Sequence, residues 1–205
     1  SAVKHVTGKA IYTDDISEPK NLLHAVIGYS NCSKGVIKKI DYKDVLSSEG
    51  VVDIITEKDI EGINDVGPIF KGDKIFTSKN IEYYGQPIFA VIAKTNNLAK
   101  KAALKVKIDL KISKPIVSIE EALKKKSFVL KPKHLTRGNI KDGFKKSDNI
   151  LKGKLYSGGQ DHFYLEGQIA MTIPQEDNNF LVYSSTQHPS ETQQIIGKVL
   201  KQNYN

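Results

Sequence analysis

The chain has 205 residues, 39% of them hydrophobic and 26% charged, and its net charge is +8. This composition is typical of a soluble globular protein, and the longest apolar runs, such as residues 88–93, are far too short to cross a bilayer. The single cysteine, Cys32, excludes an internal disulfide and is too little for a zinc or iron–sulfur site, so we expect it to be a small, partly buried apolar residue.

The positive charge is carried almost entirely by lysine. Arg137 is the only arginine, whereas phosphate and base recognition favour the planar guanidinium group. The lysine runs at 100–101 and 124–126 are not interleaved with the aromatic residues that a nucleic-acid groove uses for stacking. A solvated lysine-rich surface is therefore favoured, and no nucleic-acid partner is predicted. A lysine-rich module that binds an acidic partner stays open as an alternative.

Short strands and turns dominate the first part of the predicted fold. The hydrophobic pattern predicts strands at residues 9–12, 22–29, 35–40 and 51–55. Asp41 is a suitable cap for a helix that reaches Ser48 and ends at Gly50. Thr56 begins a short capped turn, and a loop with several glycines follows at residues 62–72.

The most regular pattern of the first half lies between residues 81 and 112. An apolar strand at 88–93 is followed by a helix with alanines at spacings of three and four, and then by a strand at 107–112. This order predicts a βαβ unit, with a right-handed crossover if its strands are parallel in one sheet. The continuous apolar strand indicates cover on both faces.

A change of composition at Ser113 marks a predicted domain boundary. We expect a first domain at residues 1–113, a linker at 114–149 with a short helix at 118–126, and a second domain at 150–205. The second domain has predicted strands at 150–156, 169–173 and 180–184, and a helix that begins at Ser190 or Thr192 and reaches Leu200. Three strands and one helix make a poor core, so this domain is expected to be incomplete.

The stretch at residues 157–166, SGGQDHFYLE, has the residue types expected of a loop that contacts a cofactor. Gly158 and Gly159 permit positive φ and close approach of the backbone to a bulky ligand, and hydrogen-bonding side chains follow at once. A Gly-Gly turn between two strands is the alternative. Asp161, His162 and Glu166 are more readily explained as structural residues than as an acid–base set.

Other kinds of catalytic site find little support. No two of the five histidines are three or four residues apart, so no helical metal site is predicted. The chain lacks a Gly-x-Ser-x-Gly nucleophile motif. Asp14 and Asp15 are adjacent and indicate a turn with solvated acids rather than a catalytic pair. We therefore assign no catalytic and no metal-ligating residue within these residues.

Four motifs, in the same order along the chain, resemble one enzyme family. They are HVTGKAIYTDD at 5–15, YGQPIFAVIA at 84–93, GGQDHFYLEGQ at 158–168 and YSSTQHPSE at 183–191. The first two are similar to the α/β hammerhead domain of the xanthine dehydrogenase and aldehyde oxidase family. The last two resemble the molybdenum-binding (large) subunit of bacterial xanthine dehydrogenase, and their details favour that branch over aldehyde oxidases. Asp161 departs from the glutamate that is common in the family.

The resemblance implies an α+β chain, in which the hammerhead domain is followed by the start of a molybdopterin-binding domain. It implies that the full enzyme hydroxylates hypoxanthine or xanthine to urate, with electrons passing through 2Fe-2S clusters and FAD to NAD. Gln160 matches the family glutamine whose amide donates to an oxo ligand of molybdenum, and Gly158 and Gly159 would permit close approach.

The resemblance also gives expectations about partners and location. The expected partners are an iron–sulfur/FAD subunit or domain and a purine substrate. No association with a membrane is expected. Because the general base, the substrate-binding residues and most pterin contacts do not map here, we expect an N-terminal fragment that is inactive alone and binds no cofactor. The first residues lack the apolar core of a secretory signal, so a cytoplasmic location is expected. A hammerhead domain that serves only as a structural scaffold is the other alternative.

Overall fold

The structure is a computed structural model that describes residues 2–204; Ser1 and Asn205 lie outside the described residues. It divides into two compact units, Ser1–Pro115 with Glu166–Asn205, and Ile116–Leu165. Small antiparallel sheets and short helices build the first unit, which confirms the predicted α+β class. Within residues 2–204, no helix combines the length and the apolar character needed to cross a membrane.

The first sheet is built around one buried strand. Its order is β1 (His24–Tyr29), β5 (Pro87–Ala93) and β3 (Val51–Ile55), and both pairings are antiparallel. Five of the seven residues of β5 are buried, so the prediction of a strand covered on both faces is confirmed. At its centre, Val91 pairs with Val26 on one side and Ile54 on the other.

The second sheet has the order β4 (Asn80–Ile81), β2 (Gly35–Asp41) and β6 (Lys107–Ile112), again with antiparallel pairings. The helix α3 (Asn96–Ala103) leads from β5 in the first sheet to β6 in the second. The predicted order of strand, helix and strand is confirmed, but the two strands are not parallel in one sheet, so the condition for a right-handed crossover is not met. Both edges of β5 are already occupied by antiparallel neighbours, so the chain continues into the other sheet.

The core lies between the sheets and α3. Ala99 and Ala102 of α3 are buried with Phe89, Val91 and other residues of the first 115. The Phe89 ring occupies the space where a side chain at Gly28 would lie, so only glycine fits at that position. The core contains Cys32, Ile37, Val45, Ile81, Ile88, Phe89, Val91, Ala93, Ala99 and Ala102. Cys32 is only 8% exposed, as its interpretation as an apolar residue predicted.

Two predictions for the first 50 residues need correction. No strand forms at 9–12; a helix, α1 (Ala2–Val6), lies just before it, and a 3₁₀ turn follows at Thr13–Asp15. The helix predicted from Asp41 shortens to α2 (Lys43–Leu46), although the Asp41 carboxylate accepts a hydrogen bond from the Lys43 amide at 3.0 Å. Short amphipathic patterns such as 9–12 carry little information without a partner strand.

The capped turn predicted at Thr56 is confirmed. Residues Glu57–Asp59 form a 3₁₀ turn, and the Thr56 hydroxyl accepts a hydrogen bond from the Lys58 amide at 3.3 Å. The Asp59 carboxylate accepts in return from the Thr56 amide at 2.7 Å. This reciprocal cap holds the chain as it leaves β3.

Residues 166–204 form a hairpin and a helix. Strands β7 (Ala170–Pro174) and β8 (Phe180–Ser184) pair antiparallel, and α6 (Pro189–Leu200) follows. These elements confirm the predictions for this part of the chain within one or two residues. Pro189 at the first helical position suits the helix start because its missing N–H has no partner to lose there.

The unit Ile116–Leu165 differs from the first unit in having no buried residue. Its two helices are α4 (Ile119–Lys125), capped by Ser118, and α5 (Ile140–Lys146), capped by Asn139. The helix α4 was predicted, whereas α5 was not recognised in the lysine-rich tract. The strand predicted at 150–156 is wrong: these residues are exposed and have no strand partner.

A backbone contact joins the loop after β3 to the end of α6. The Gly62 amide donates to the Val199 carbonyl at 2.9 Å, and the Ile63 amide donates to the Lys198 carbonyl at 3.1 Å. The last carbonyls of a helix lack intrahelical donors, so the loop satisfies two of them. A Cβ atom on Gly62 would overlap the Lys198 carbonyl oxygen.

Replacing Gly62 with alanine should therefore destabilise the first unit. We expect Gly62→Ala to lower the free energy of unfolding by about 2 kcal/mol, because the added methyl forces the loop and α6 apart and breaks these bonds. Denaturant unfolding measures the change. Gly167→Ala is the matched control, since a Cβ there meets nothing within 4 Å. Equal losses for both variants would contradict the proposed role of the contact.

Tyr42 gives a prediction of pH dependence. Its ring meets Phe89 edge to face at 5.3 Å, and burial, followed by the negative charge of Asp59, raises the pKa of Tyr42 from 10.0 to about 12. The folded state thus favours the neutral phenol, and this stabilisation is complete below pH 10 and lost as the pH rises towards 12. Denaturant unfolding across this range should show a decline in stability that is weaker in Tyr42→Phe. Equal declines in stability in the wild type and in Tyr42→Phe would contradict the predicted contribution of Tyr42.

Candidate functional site

The three residues predicted to contact a cofactor lie in the unit Ile116–Leu165. Gly158, Gly159 and Gln160 are exposed and have no regular secondary structure. Neither glycine has positive φ, and a Cβ atom on either would meet nothing within 4 Å. Among residues 2–204, the Gln160 side-chain amide has no hydrogen-bond partner. Among the described residues, the backbone at Gly158 and Gly159 is therefore accessible, and the Gln160 side-chain amide is unpaired.

The following residues make a turn that depends on Asp161 rather than on the glycines. The Asp161 carboxylate accepts a hydrogen bond from the Phe163 amide at 3.2 Å, and Phe163 has a φ of 48°. An aspartate that bonds two residues ahead is a common way to stabilise such a turn. The predicted structural role of Asp161 agrees with this contact. His162 is exposed and forms no hydrogen bond within the described residues.

Glu166 connects two distant parts of the first unit. Its carboxylate accepts a hydrogen bond from the Thr13 amide at 2.9 Å, across 153 residues of sequence. The same turn is closed from the other side, where the Asp15 carboxylate accepts from the Tyr12 amide at 2.9 Å. Glu166 thus fixes the chain at the beginning of the hairpin segment. Asp15 is a turn residue, as predicted.

The motif at 183–191 builds the connection from β8 to α6. The His188 ring accepts a hydrogen bond from the Glu191 amide at 3.3 Å and so caps the helix. The Thr186 hydroxyl accepts from the His188 amide at 3.1 Å, and the Ser185 hydroxyl accepts from the Ile169 amide at 3.0 Å. These side chains hold the connection in shape. Within residues 2–204, no three His, Cys, Asp or Glu side chains are placed to hold a metal ion.

Sequence reasoning missed a groove of about 450 Å³ between β8 and α6. Its lining residues include no charged side chain and combine amide and hydroxyl groups with apolar side chains. The signal was present, because the lining residues alternate along β8 and recur every three or four residues along α6. They are Asn178, Asn179, Phe180, Val182, Ser184, Thr186, Pro189, Ser190, Thr192, Gln193, Ile196, Gly197, Leu200, Gln202, Asn203 and Tyr204.

Four described carboxylates have a clearly lowered pKa, and all lie within the first 115 residues: Asp44, Glu57, Asp59 and Asp65. Hydrogen bonds from the Gly72 and Gly67 amides lower the pKa of Asp65, and the Ser78 hydroxyl lowers that of Glu57. Asp65 receives these bonds at 2.6 and 2.8 Å. Such groups stabilise loops, so these shifts identify structural carboxylates rather than a catalytic acid or base.

Two family models match consecutive parts of the chain. The model described as "Aldehyde oxidase and xanthine dehydrogenase, a/b hammerhead domain" matches residues 7–114. The model described as "Molybdopterin cofactor-binding domain" matches residues 121–205. The hammerhead match covers more than half of the chain. The predicted order, with a hammerhead domain before the start of a molybdopterin-binding domain, is confirmed.

Curated relatives and solved structures agree with these matches. The chain is 38% identical over 200 residues to xanthine dehydrogenase of Dictyostelium discoideum, and 38% identical over 202 residues to aldehyde oxidase 2 of Mus musculus. Each match covers 98% of this chain and 15% of the relative, so the chain spans about a seventh of their length. The aldehyde oxidoreductase of Desulfovibrio gigas superposes with a TM-score of 0.83 at 26% identity, over 98% of this chain and 24% of that one.

The contact between Glu166 and Thr13 can be tested by hydrogen exchange. Glu166→Ala should raise the exchange rate of the Thr13 amide about tenfold, because a hydrogen bond to a charged acceptor is lost. Glu166→Gln should raise it less, since an amide oxygen can still accept. Glu176→Ala, on the β7–β8 turn, is the control and should leave Thr13 unchanged. An unchanged rate in Glu166→Ala would show that the bond does not form in solution.

Proposed function

Because the chain belongs to the aldehyde oxidase and xanthine dehydrogenase family, we propose that it is part of a molybdenum hydroxylase that oxidises a purine. The observation that carries the proposal is the unpaired amide of Gln160 beside two glycines, in the part of the chain matched by the molybdopterin cofactor-binding domain. The hammerhead match over residues 7–114 supports the same family assignment.

The chemistry of the exposed groups fits a molybdenum cofactor. An amide offers two N–H donors, and oxygen ligands of a metal are acceptors. Gly158 and Gly159 have no neighbour on the side where a Cβ would stand, which leaves room for a bulky group beside the backbone. We propose that Gln160 donates to an oxygen ligand of molybdenum and that both glycines lie beside the cofactor.

When bound, the cofactor supplies the metal that takes up the two electrons released by hydroxylation. The part played by this chain is electrostatic. An N–H donor that points at an oxygen stabilises negative charge as it grows there, and it does so most strongly where water is excluded. Gln160 would thus be a residue that tunes the metal rather than one that moves a proton. No residue between 2 and 204 is proposed as the general base.

A purine substrate, xanthine or hypoxanthine, is favoured over an aldehyde by the details of the motifs at 166–168 and 185–191. Overall identity does not separate the two branches, since it is 38% to members of both. The proposed partners are an iron–sulfur/FAD subunit or domain that carries the electrons to NAD. A cytoplasmic location stays a prediction.

Substitution of Gln160 in the molybdenum-loaded enzyme tests the proposal. Gln160→Ala should lower kcat about 100-fold while molybdenum content stays the same, which is the size of effect seen when one aimed hydrogen-bond donor is removed. Gln160→Glu keeps the length of the side chain but removes the N–H donors, so it should lower kcat similarly. Steady-state kinetics with xanthine and metal analysis provide the measurements.

Gln175→Ala, at the exposed β7–β8 turn, is the matched control and should keep full activity. Wild-type turnover in Gln160→Ala would support the structural alternative, in which the Gly-Gly stretch is an ordinary turn. Aldehyde turnover without purine turnover by the unmodified enzyme would move the proposal to the other branch of the family.

A further inference from the structure

The start of α6 depends on a side chain whose hydrogen-bonding capacity changes with pH. The His188 ring accepts a hydrogen bond from the Glu191 amide through Nδ1, at 3.3 Å. Only a neutral imidazole can accept, because both ring nitrogens are donors in the charged form. The side chain is exposed, so protons from solvent reach it. The bond that caps α6 is therefore present only while His188 is neutral.

The backbone of His188 is held by groups that do not titrate. Its amide donates to the Thr186 hydroxyl at 3.1 Å, and its carbonyl accepts from the Thr192 amide and the Thr192 hydroxyl, each at 3.1 Å. These bonds remain when the ring takes up a proton. Protonation thus removes the bond to Glu191 selectively, and an amide in the first turn of a helix has no acceptor within the helix to replace it.

The charged groups on the neighbouring elements offset this loss only weakly. Strands β7 and β8 contain no charged side chain, and their one titratable group is Tyr183. Before β7, the Glu166 carboxylate already accepts from a backbone amide. The charged residues of α6 itself are Glu191 in its first turn and Lys198 in its last. An ion pair between His188 and the Glu191 carboxylate would be exposed and weak, and the Glu191 amide loses its acceptor whether or not the pair forms.

The capped turn forms part of one wall of the groove between β8 and α6. Pro189, Ser190 and Thr192 of this turn line the groove, and Thr186 lines it just before the helix. A helix start that loses its cap opens more often. The positive end of the helix dipole also repels a charged imidazole, which acts in the same direction. A fall in pH therefore loosens this wall.

We propose that His188 is a pH-sensitive cap that holds the first turn of α6, and this wall of the groove, only while its ring is neutral. The hydrogen bond stabilises the turn at neutral and basic pH. It is lost as the pH falls through the range, about 8 to 5, in which histidine side chains titrate. The proposal is independent of the molybdenum chemistry, because it involves neither Gln160 nor a cofactor.

Amide hydrogen exchange measured by NMR on the 205-residue chain tests the proposal. The protection factor compares each amide with an unstructured peptide at the same pH, so the intrinsic effect of pH cancels. For the Glu191 amide it should fall about fivefold between about pH 7.5 and about pH 5.5, which is the effect of losing one helix cap. The fall should follow the titration of the His188 ring protons, and the side-chain amide signals of Gln193, in the groove, should shift with the same midpoint.

The chain offers a matched control within the same sample. The Glu121 amide of α4 donates to the Ser118 hydroxyl at 3.2 Å, and a hydroxyl cap does not titrate in this range. Its protection factor should stay constant between the two pH values.

Two variants separate the role of the ring from other effects of pH. Asparagine is a good cap and does not titrate, so His188→Asn should keep the Glu191 amide protected at both pH values. His188→Ala has no cap, so it should lower that protection about fivefold at both. Circular dichroism checks that each variant retains the wild-type fold.

Four results would overturn the proposal. They are an unchanged protection factor for Glu191 in the wild type, an equal fall at Glu121, an equal fall in His188→Asn, and Gln193 signals that do not follow the His188 titration. The comparison of Glu191 with Glu121 needs only the wild-type chain, so it decides the matter even if a variant does not fold.

Discussion

The burial of β5 on both faces is the constraint on which the first unit depends. Its two edges are filled by β1 and β3, and α3 covers it through Ala99 and Ala102. A strand enclosed in this way admits no polar residue and no change of register, since a shift by one residue would exchange the faces of every side chain. Gly28 contributes by its missing side chain, which leaves room for Phe89. The second sheet is joined to β5 through α3, which leads directly into β6.

Two backbone contacts extend this order to the C-terminal segment. The Thr13 amide bonds the Glu166 carboxylate, and the loop at Gly62 bonds the end of α6. The two contacts lie at opposite ends of the segment that contains the hairpin and α6. A two-stranded hairpin alone is marginal in water, so attachment at both ends is a physical reason for its persistence.

Secondary structure was predicted well from the sequence for segments that pack against others, and poorly for segments that do not. The pattern of 88–93 predicted a buried strand, and the cap at Thr56 predicted a helical turn, because each is a local interaction with its own chemical signature. The strand predicted at 150–156 does not form. Alternation of apolar and polar residues gives a segment two different faces, but a strand also needs a partner, and none pairs with these residues in the described structure. Whether β5 and β6 share a sheet had no signature in the sequence, since pairing is decided by which edges are open. Gln160 was recognised through resemblance, because an exposed amide has no local signature.

The electrostatic role proposed for Gln160 depends on the exclusion of water. An amide that donates a hydrogen bond in water gains little, because water competes for both partners, but in a dry, low-dielectric site the same bond is much stronger. The Gln160 side chain is exposed among the described residues, so the role proposed for it requires that water be excluded from the amide when the cofactor is bound. The surroundings of the amide, and not the N–H donor alone, would then decide how much charge it stabilises.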